Sequence, residues 1–389
     1  MLKDFFQFGK CKDGCACRVA AVVLNCPVGL EAARLFEKQA GATVAADASV
    51  GAGQVWNKPV VPVYVIEDQV VPANSPEISE QQQEMAAFAR SYGCEYVYGQ
   101  AMAPHYLLNG RLQSGQVVIG SDPDLTMLGA VGSLGIALPA TQLCEAMATG
   151  TVEMPVVQEY VVCVRGELPD KLDIRNAAQQ LVHELADKIK KHTVLEIYCE
   201  SLLTLDEKML LCGWSQRLGH LSTLIVEEKP AHIDYVLRLD KLQAAGSSTD
   251  VKLVNAVYIG GSYGGNLEAI RQTARLVAGQ QIAYKVRLSV APASAEIYAA
   301  AASAGYLTAI IEAGGMILNQ CALPPVQARI GEGEVLVSND SHAEPDYAGV
   351  GGTVYLTSTK NAVEAALTGK VGVDKLIGLA DNPLKGGEA

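Results

Sequence analysis

The stretch Val257-Tyr258-Ile259-Gly260-Gly261-Ser262-Tyr263-Gly264-Gly265-Asn266 decides the fold. It is an apolar β run that ends in a glycine-rich turn, and a helical pattern follows from residue 267. A second strand (286–290), an alanine-rich helix and a second turn (319–325) come next. In α/β domains, ligands bind at the turns after the carboxyl ends of parallel strands. We therefore expect a binding site at the 260–266 and 319–325 turns.

The whole chain has the composition of a layered α/β protein. Its 389 residues are too many for one core and suit two or three domains. Hydrophobic residues make up 49% of the chain but aromatic residues only 6%, so the core must be built from Ala, Val, Leu and Ile. We expect three domains, at residues 1–155, 156–250 and 251–389, with the small polar residues 243–250 as a linker.

Charge and hydropathy exclude several classes of protein. The net charge is −12, which argues against nucleic-acid ligands and against anionic membrane surfaces. No apolar run reaches the eighteen or so residues of a membrane span. Residues 1–6 lack the basic start and long apolar segment of a secretory signal. These features predict a cytoplasmic protein.

Ten cysteines are scattered along the chain, mostly singly and in apolar surroundings. Reduced, buried thiols are therefore favoured over disulfides. Cys11, Cys15 and Cys17 form a denser group that could hold a metal ion, but no matching His or Cys pair stands nearby at ligand spacing. The alternative is a solvent-facing turn with free thiols.

The first 150 residues place acidic side chains after two predicted strands. The strand 61–66 is followed by Asp68, and the strand 117–120 is followed by Asp122 and Asp124. Between them, Ser75 precedes a proline and a glutamate, which predicts a helix N-terminus that runs on to about residue 92.

The middle segment reads as strand, helix, strand and helix. The spacing of apolar residues predicts a helix over 176–191 and a second helix from residue 205. Asp206 and Glu207 fall in the first turn of that second helix. We interpret them as helix-stabilising acids and not as catalysts.

The 257–371 stretch resembles the last catalytic domain of the aconitase superfamily, and most closely the large subunits of isopropylmalate isomerase and homoaconitase. In that family the first turn reads Gly-Ser-Cys-Thr-Asn-Gly-Arg and the second contains Cys-x-x-Cys. The three cysteines hold a 4Fe–4S cluster whose fourth iron binds the substrate hydroxyl. Here the ligand positions are Ser262, Ala322 and Pro325, and Asn266 replaces the arginine. The resemblance implies an α/β fold with three α/β/α domains around a central cleft.

The first segment resembles the family's first domain, which positions substrate and handles protons with Asp-His pairs. Asp68 and Asp122 are kept, but their histidine partners are replaced, in the second case by Pro123-Asp124. The family's loop histidine is kept as His105. By this resemblance the catalytic candidates are His105, Asp122, Asp124 and Asp68. The alternative for His105 is a histidine that caps a loop.

The loss of cluster ligands leads us to expect no 4Fe–4S cluster, because such a cluster needs thiolates. Cys321 could supply one ligand from a shifted loop, which does not suffice. Substrate contacts are expected from Ser262, Asn266 and Asn319. The family arginines that bind substrate carboxylates fall on Ser341 and Asp346. With little positive charge left in the motifs, a di- or tricarboxylate is disfavoured unless a metal ion binds with it.

One interpretation is a hydro-lyase that uses a replacement metal or acid/base residues. Four residues alternate along the 340–346 segment, so that on an extended backbone they would share one face: Asp340, His342, Glu344 and Asp346. Such ligands suit a divalent ion, which could act as a Lewis acid in place of the cluster. The alternative is a solvated acidic loop.

A second interpretation is a non-catalytic scaffold or regulatory subunit. Large subunits of this family work with a separate small subunit that carries a swivelling domain, and such a domain is missing here. A small-subunit-like partner is therefore expected under either interpretation. A nucleotide site at 260–265 is disfavoured, because the run matches neither a Walker loop nor a clean Gly-x-Gly-x-x-Gly. Its glycines more plausibly serve turn geometry.

Overall fold

The computed structural model describes residues 5–8, 14–26, 28–47, 58–155, 157–169, 172–242, 250–321 and 323–377. Ala322 and most of the predicted linker, residues 243–249, lie outside these ranges. So do Cys11 and the side chain of Cys15, while Cys17 is buried with its Sγ 3.6 Å from the carbonyl oxygen of Phe5. Three parallel sheets with interleaved helices confirm the α/β class.

The first parallel sheet has five strands in the order β5-β4-β3-β6-β7. The bounds are β3 Ala21–Leu24, β4 Val63–Glu67, β5 Glu95–Tyr98, β6 Val117–Gly120 and β7 Leu134–Ala137. Strands β3 and β6 are buried along their whole length, as expected for parallel strands covered on both faces. A small antiparallel sheet lies beside them, formed by β1 Phe6–Phe8, β2 Gly14–Arg18 and β8 Thr151–Pro155.

In the described part of this segment, four α-helices and one 3₁₀ helix connect these strands. They are α1 Val28–Asp47, α2 Pro76–Tyr92, α3 Ala103–Leu108, α4 Ala140–Thr149 and the 3₁₀ helix Pro123–Val131. The predicted start of α2 is confirmed, since the Ser75 hydroxyl accepts a hydrogen bond from the amide of Ile78 at 3.3 Å. The 3₁₀ helix was not predicted.

The second sheet has four parallel strands in the order β11-β10-β9-β12. Its elements are β9 Gln158–Arg165, β10 Thr193–Cys199, β11 Ser222–Val226, β12 Tyr235–Arg238, α5 Ile174–Leu185, α6 Leu205–Ser215 and the 3₁₀ helices Gln216–Leu218 and Leu239–Lys241. A capping box between Thr204 and Glu207 starts α6, which confirms that both predicted acids lie in its first turn and that Glu207 caps the helix. The prediction that α5 extends to residue 191 is wrong. Ile189 lies beyond the end of α5 but is still buried, so the apolar spacing in the sequence extends further than the helix.

The third sheet has five parallel strands in the order β16-β15-β14-β17-β18. Its strands are β14 Ala256–Ile259, β15 Arg287–Val290, β16 Met316–Ile317, β17 Val335–Ser338 and β18 Thr353–Leu356. Its helices are α7 Gly261–Gly264, α8 Leu267–Val277, α9 Ala295–Ser303, α10 Tyr306–Glu312, α11 Pro324–Gln327, α12 Thr359–Thr368 and the 3₁₀ helix Val373–Lys375. β13 Val251–Leu253 pairs with β19 Lys370–Gly372. The central strand β14 ends at the glycine-rich turn, as predicted.

Buried polar contacts join the three sheets at the carboxyl ends of their strands. The guanidinium of Arg175, on α5, donates to the carbonyl oxygens of Asn339 and Tyr263 at 3.1 and 3.0 Å. The Tyr263 hydroxyl in turn donates to Asp124 at 2.8 Å. The turns that follow β6 and β14 therefore face a common space. The domain bounds themselves stay a prediction.

Within the described ranges, no helix is both long enough and apolar enough to cross a bilayer.

Candidate functional site

A cleft of about 710 Å³ lies where the three sheets meet. Its polar lining includes Asp122, Asp124, Arg217, His220, His342 and Glu344. A smaller inner pocket of about 170 Å³ shares Asp122, Asp124 and His342 with it and adds Ser262, Pro325 and Asp340. Residues that are far apart in sequence thus converge on one space.

Asp122 is held rigidly at the end of β6. Its Oδ1 accepts the amide of Asp124 at 2.8 Å, which caps the 3₁₀ helix. Its Oδ2 accepts the side-chain amides of Gln69 at 3.2 Å and Asn25 at 3.3 Å. Burial and the neighbouring charge of Asp124 raise the pKa of Asp122 to about 6. The carboxyl group can therefore take up or release a proton near neutral pH.

Asp124 lies deeper between the sheets. Its Oδ1 accepts the Tyr263 hydroxyl at 2.8 Å and the Gln216 side-chain amide at 3.4 Å. Burial, followed by the charge of Asp124, raises the pKa of Tyr263 well above its usual value, so the phenol stays protonated and can donate. Asp124 thus contacts all three parts of the chain.

Asp68 is fully buried behind the cleft and lines neither cavity. Its carboxylate accepts the amide of Ala103 at 2.7 Å and the side-chain amide of Asn25 at 3.5 Å. Burial and the charge of Asp122 raise its pKa well above the ordinary value. Asp68 therefore supports Asp122 through the shared Asn25 and has no contact with the cleft.

His105 lies on α3 between the first and third sheets. Its Nε2 is 2.9 Å from the carbonyl oxygen of Ser262, and burial lowers its pKa. It lines neither cavity. The structure thus does not bring this catalytic candidate to the cleft, and it belongs to a helix and not to a loop.

The three predicted substrate contacts are separated in the structure. The Ser262 hydroxyl faces the inner pocket region, buried and without a hydrogen-bond partner among the described residues. The side chain of Asn266 accepts the amide of Ala269 at 2.8 Å and caps α8. Asn319 is exposed. Of the three, Ser262 alone lines a cavity.

Asp340 and His342 follow β17 and form a contact pair beside the inner pocket. The imidazole Nδ1 lies 3.6 Å from Oδ2 of Asp340, and the ring stacks on Tyr347 with centroids 4.9 Å apart. Burial lowers the pKa of His342, but contact with Asp340 and the charges of Asp124 and Glu344 outweigh it and raise the pKa to about 9. His342 is therefore an imidazolium at neutral pH.

The other two predicted metal ligands do not join this pair. Glu344 is exposed at the rim of the cleft, and Asp346 turns away to accept the amide of Gly351 at 2.8 Å. Asp346 has a φ of 62°, so the backbone is not extended at this point and the predicted alternation breaks down. In the part of the chain that the structure describes, no group of three or more His, Cys, Asp or Glu residues could hold a metal ion.

Arg217 is a functional candidate that the sequence did not reveal. It lies in the 3₁₀ turn after α6 and lines the cleft. Its guanidinium packs 4.2 Å from the centre of the Trp214 ring and donates to the carbonyl oxygen of Ser341. The expectation of little positive charge concerned the family motifs, and this cation comes from outside them, in the middle segment. The sequence does show a basic residue just after an apolar helix. Basic residues are common at helix C-termini because they stabilise the helix there, so this pattern does not single out a binding residue.

The residues at the cluster-binding positions do not fit a 4Fe–4S cluster. Ser262 offers a hydroxyl, and Pro325 offers no side-chain donor. The nearby thiol of Cys321 is buried, lies 3.9 Å from the carbonyl oxygen of Ala293, and has its pKa raised well above the ordinary value by burial. A cluster needs several thiolates.

The sequence matches known proteins over most of its length. The model of the Aconitase family (aconitate hydratase) matches residues 28–240 and 226–369. The homoaconitase large subunit of Thermus thermophilus is 27% identical, over 79% of this chain and 83% of that protein. The 3-isopropylmalate dehydratase large subunit 1 of Methanopyrus kandleri is 24% identical, over 83% of this chain and 87% of that protein.

The fold is also found in a solved structure. Aconitase X of Thermococcus kodakaraensis, in its holo-form, superposes with a TM-score of 0.54 over 84% of each chain. The sequences are 13% identical, so this likeness concerns the fold alone.

Proposed function

The chain belongs to the aconitase family, and from this premise we propose that it is a large-subunit-like hydro-lyase that works without a 4Fe–4S cluster. Its substrate would be a small hydroxy acid that loses or gains water. The observation that carries the proposal is the Asp340–His342 pair, which lies beside Asp122 where the two cavities join. The family's Asp-His pairs are lost from the first segment, and this pair offers the same chemistry from the third.

The two groups hold complementary protonation states at neutral pH. His342, with a pKa of about 9, carries a proton that it can give to a leaving hydroxyl. Asp122, with a pKa of about 6, is ionised and can accept a proton from carbon. Such a matched acid and base typically contribute on the order of 10²–10⁴-fold each to a rate. Elimination leaves Asp122 protonated and His342 neutral, and a proton transfer through the cleft restores both.

The remaining residues of the site have supporting roles in this proposal. Gln69 and Asn25 orient the carboxylate of Asp122 through their amides. Tyr347 stacks on the imidazole and fixes its plane. Fixing the reacting groups in advance removes the cost of orienting them during the reaction. His105, whose ring contacts the backbone of Ser262 without lining either cavity, would serve to hold α3 against the third sheet.

A divalent metal ion is a second candidate for the group that activates the hydroxyl. Asp340 and His342 are the two predicted ligands in contact, and both carboxylate oxygens of Asp340 lack hydrogen-bond partners among the described residues. A metal ion there would supply Lewis-acid chemistry. Treatment with a chelator distinguishes the acid/base proposal from the metal proposal, because it would inactivate only a metal-dependent enzyme.

We also propose that a separate small-subunit-like chain completes the site. The relatives reported above carry the words "large subunit" in their names. The cleft opens to solvent along its Glu344 edge, which would leave room for a partner chain. If the chain proves inactive alone and with such a partner, the alternative of a non-catalytic scaffold would replace the hydro-lyase proposal.

The test is a dehydration assay on the purified chain with a panel of small 2- and 3-hydroxy acids. The readouts are ultraviolet absorbance of the unsaturated product and deuterium exchange at the carbon next to the one that carries the hydroxyl. We expect His342→Gln to lose both signals, whereas His232→Gln, at an exposed histidine outside the cleft, should keep them. Equal activity in wild type and His342→Gln would refute the proposal.

A further inference from the structure

We infer that Arg217 is the residue that anchors the substrate, and that the substrate carries one carboxylate where family members bind two or three. This inference rests on the proposed function and names the substrate class of the same site. Its basis is an arginine in the cleft wall whose guanidinium has no acidic partner among the described residues.

The surroundings of Arg217 explain why it needs an anion. One nitrogen donates to the carbonyl oxygen of Ser341, and the planar face packs on Trp214. The Nη1 nitrogen is closed off from solvent and has no hydrogen-bond partner within the described residues. Glu344, Asp340 and Asp124 act on its charge from farther away, and none of them forms an ion pair with it in the described part of the chain. A half-buried cation with a sealed-off nitrogen and no paired anion is costly, and a bound carboxylate removes part of that cost.

The position of Arg217 also compensates for a loss noted in the sequence. One family arginine aligns with Ser341, and the guanidinium of Arg217 lies against the backbone of that residue. The cation thus reaches the same place from the turn after α6, on the second sheet. A guanidinium is the group best suited to a carboxylate, because its fork can donate two parallel hydrogen bonds.

The charges of the other cleft residues determine how many carboxylates the substrate can carry. Arg217 and Lys191 are the lysine and arginine residues that line it, and Lys191 is exposed. Opposite charges come from Asp122, Asp124 and Glu344. His342 is the other cation of the cleft, and the proposed reaction assigns it to the hydroxyl. A second carboxylate on the substrate would therefore face acidic groups without a further cation to balance it. The geometry favours a monocarboxylate whose hydroxyl reaches His342.

The binding test uses 3-hydroxybutyrate as the monocarboxylate probe and malate as the dicarboxylate probe. Affinities are measured by calorimetric titration and checked by saturation-transfer NMR on the full chain. Wild type should bind 3-hydroxybutyrate more tightly than malate. Arg217→Gln should weaken the binding of 3-hydroxybutyrate by roughly tenfold to a hundredfold, as expected for the loss of a charged hydrogen bond. Arg217→Lys should fall between the two.

Two controls separate binding from folding and from catalysis. Arg90→Gln, at an exposed arginine in the last turn of α2, should bind as wild type. His342→Gln should still bind 3-hydroxybutyrate but not turn it over. Arg217→Gln must keep a cooperative thermal transition for its lost affinity to support the anchor. If Arg217→Gln does not unfold cooperatively, Arg217→Lys replaces it as the test, because it keeps the charge and the packing on Trp214. A reduced affinity of Arg217→Lys for 3-hydroxybutyrate then supports the anchor.

Three results would overturn the inference: unchanged affinity in both Arg217 variants, tighter binding of malate than of 3-hydroxybutyrate, or no binding of either probe by folded wild type. Arg217-dependent binding with no turnover of any hydroxy acid, either alone or with a small-subunit-like chain, would instead support the anchor and overturn the hydro-lyase proposal. The two ideas therefore fail in different experiments.

Discussion

The imidazole Nδ1 of His342 lies 3.6 Å from Oδ2 of Asp340, and this contact holds the pKa of the imidazole near 9 despite its burial. Together with Asp122, whose pKa is about 6, it predicts a bell-shaped dependence of kcat/KM on pH with limbs near 6 and 9. Asp340→Asn should move the alkaline limb to lower pH, because the imidazolium loses its anionic partner. A steady-state pH profile checks this. An alkaline limb that stays in place would remove His342 from the acid role.

The same pKa shift predicts how stability depends on pH. The pKa of folded His342 is raised above its ordinary value of 6.5 to about 9. Its contribution is therefore fully present below pH 6.5 and is lost as pH rises through 9. Because 35% of the side chain is exposed, we expect an effect on the order of 1 kcal/mol, smaller than the full pKa difference would give.

Urea unfolding at several pH values measures this contribution. The difference in unfolding free energy between wild type and His342→Gln should shrink between pH 6.5 and 9. A difference that stays constant with pH would mean that Asp340 does not stabilise the imidazolium.

Tyr263 joins the first and third sheets through one buried hydrogen bond, from its hydroxyl to Asp124 at 2.8 Å. Tyr263→Phe removes the donor and leaves a buried carboxylate with a weaker partner, the Gln216 amide at 3.4 Å. We expect a loss of about 2 kcal/mol in unfolding free energy. Tyr284→Phe, at a tyrosine that is 90% exposed, is the matched control and should change little. Equal losses in both variants would show that the bond carries no stability.

Gly261 has a φ of 73°, and a Cβ atom there would lie 2.4 Å from the carboxyl group of Asp340. Gly261→Ala should therefore combine backbone strain with a steric clash. Gly279 has a similar φ of 71° but open space around it, so Gly279→Ala reports the strain alone, about 1 kcal/mol. We expect Gly261→Ala to cost about 2 kcal/mol more than that control. Chemical denaturation measures both, and similar costs would mean that the carboxyl group moves freely.

Local signals were enough to predict much of the fold. β6 was predicted as a continuous apolar run with polar residues after it, and its observed bounds are the same. α2 was predicted from its serine, proline and acid, and begins where they place it. These elements depend on interactions within a few residues, which a single sequence displays. The 3₁₀ helix Pro123–Val131 escaped prediction because its uniformly buried residues show no helical periodicity.

The site was harder to predict because its contacts join distant segments. The guanidinium of Arg217 reaches a carbonyl 124 residues away, and Tyr263 reaches an acid 139 residues away. Nothing in the spacing of either residue indicates such a partner. Conversely, Asp340 and Asp346 were grouped by their alternation, which the turn at Asp346 interrupts. Long-range packing decides which side chains come into contact. The family resemblance indicated which positions belong to the site, but not which residues those positions contact in this chain.

Metal content is the measurement that tests the expected absence of a 4Fe–4S cluster. The residues at the cluster positions, Ser262 and Pro325, cannot supply thiolates, and Cys321 alone does not suffice. We expect anaerobically purified protein to be colourless and to contain far less than one iron per chain. Cys321→Ser should leave the spectrum and any activity unchanged. Brown protein with about four irons per chain would instead show that other cysteines assemble a cluster, and the acid/base proposal for His342 would then give way to cluster chemistry.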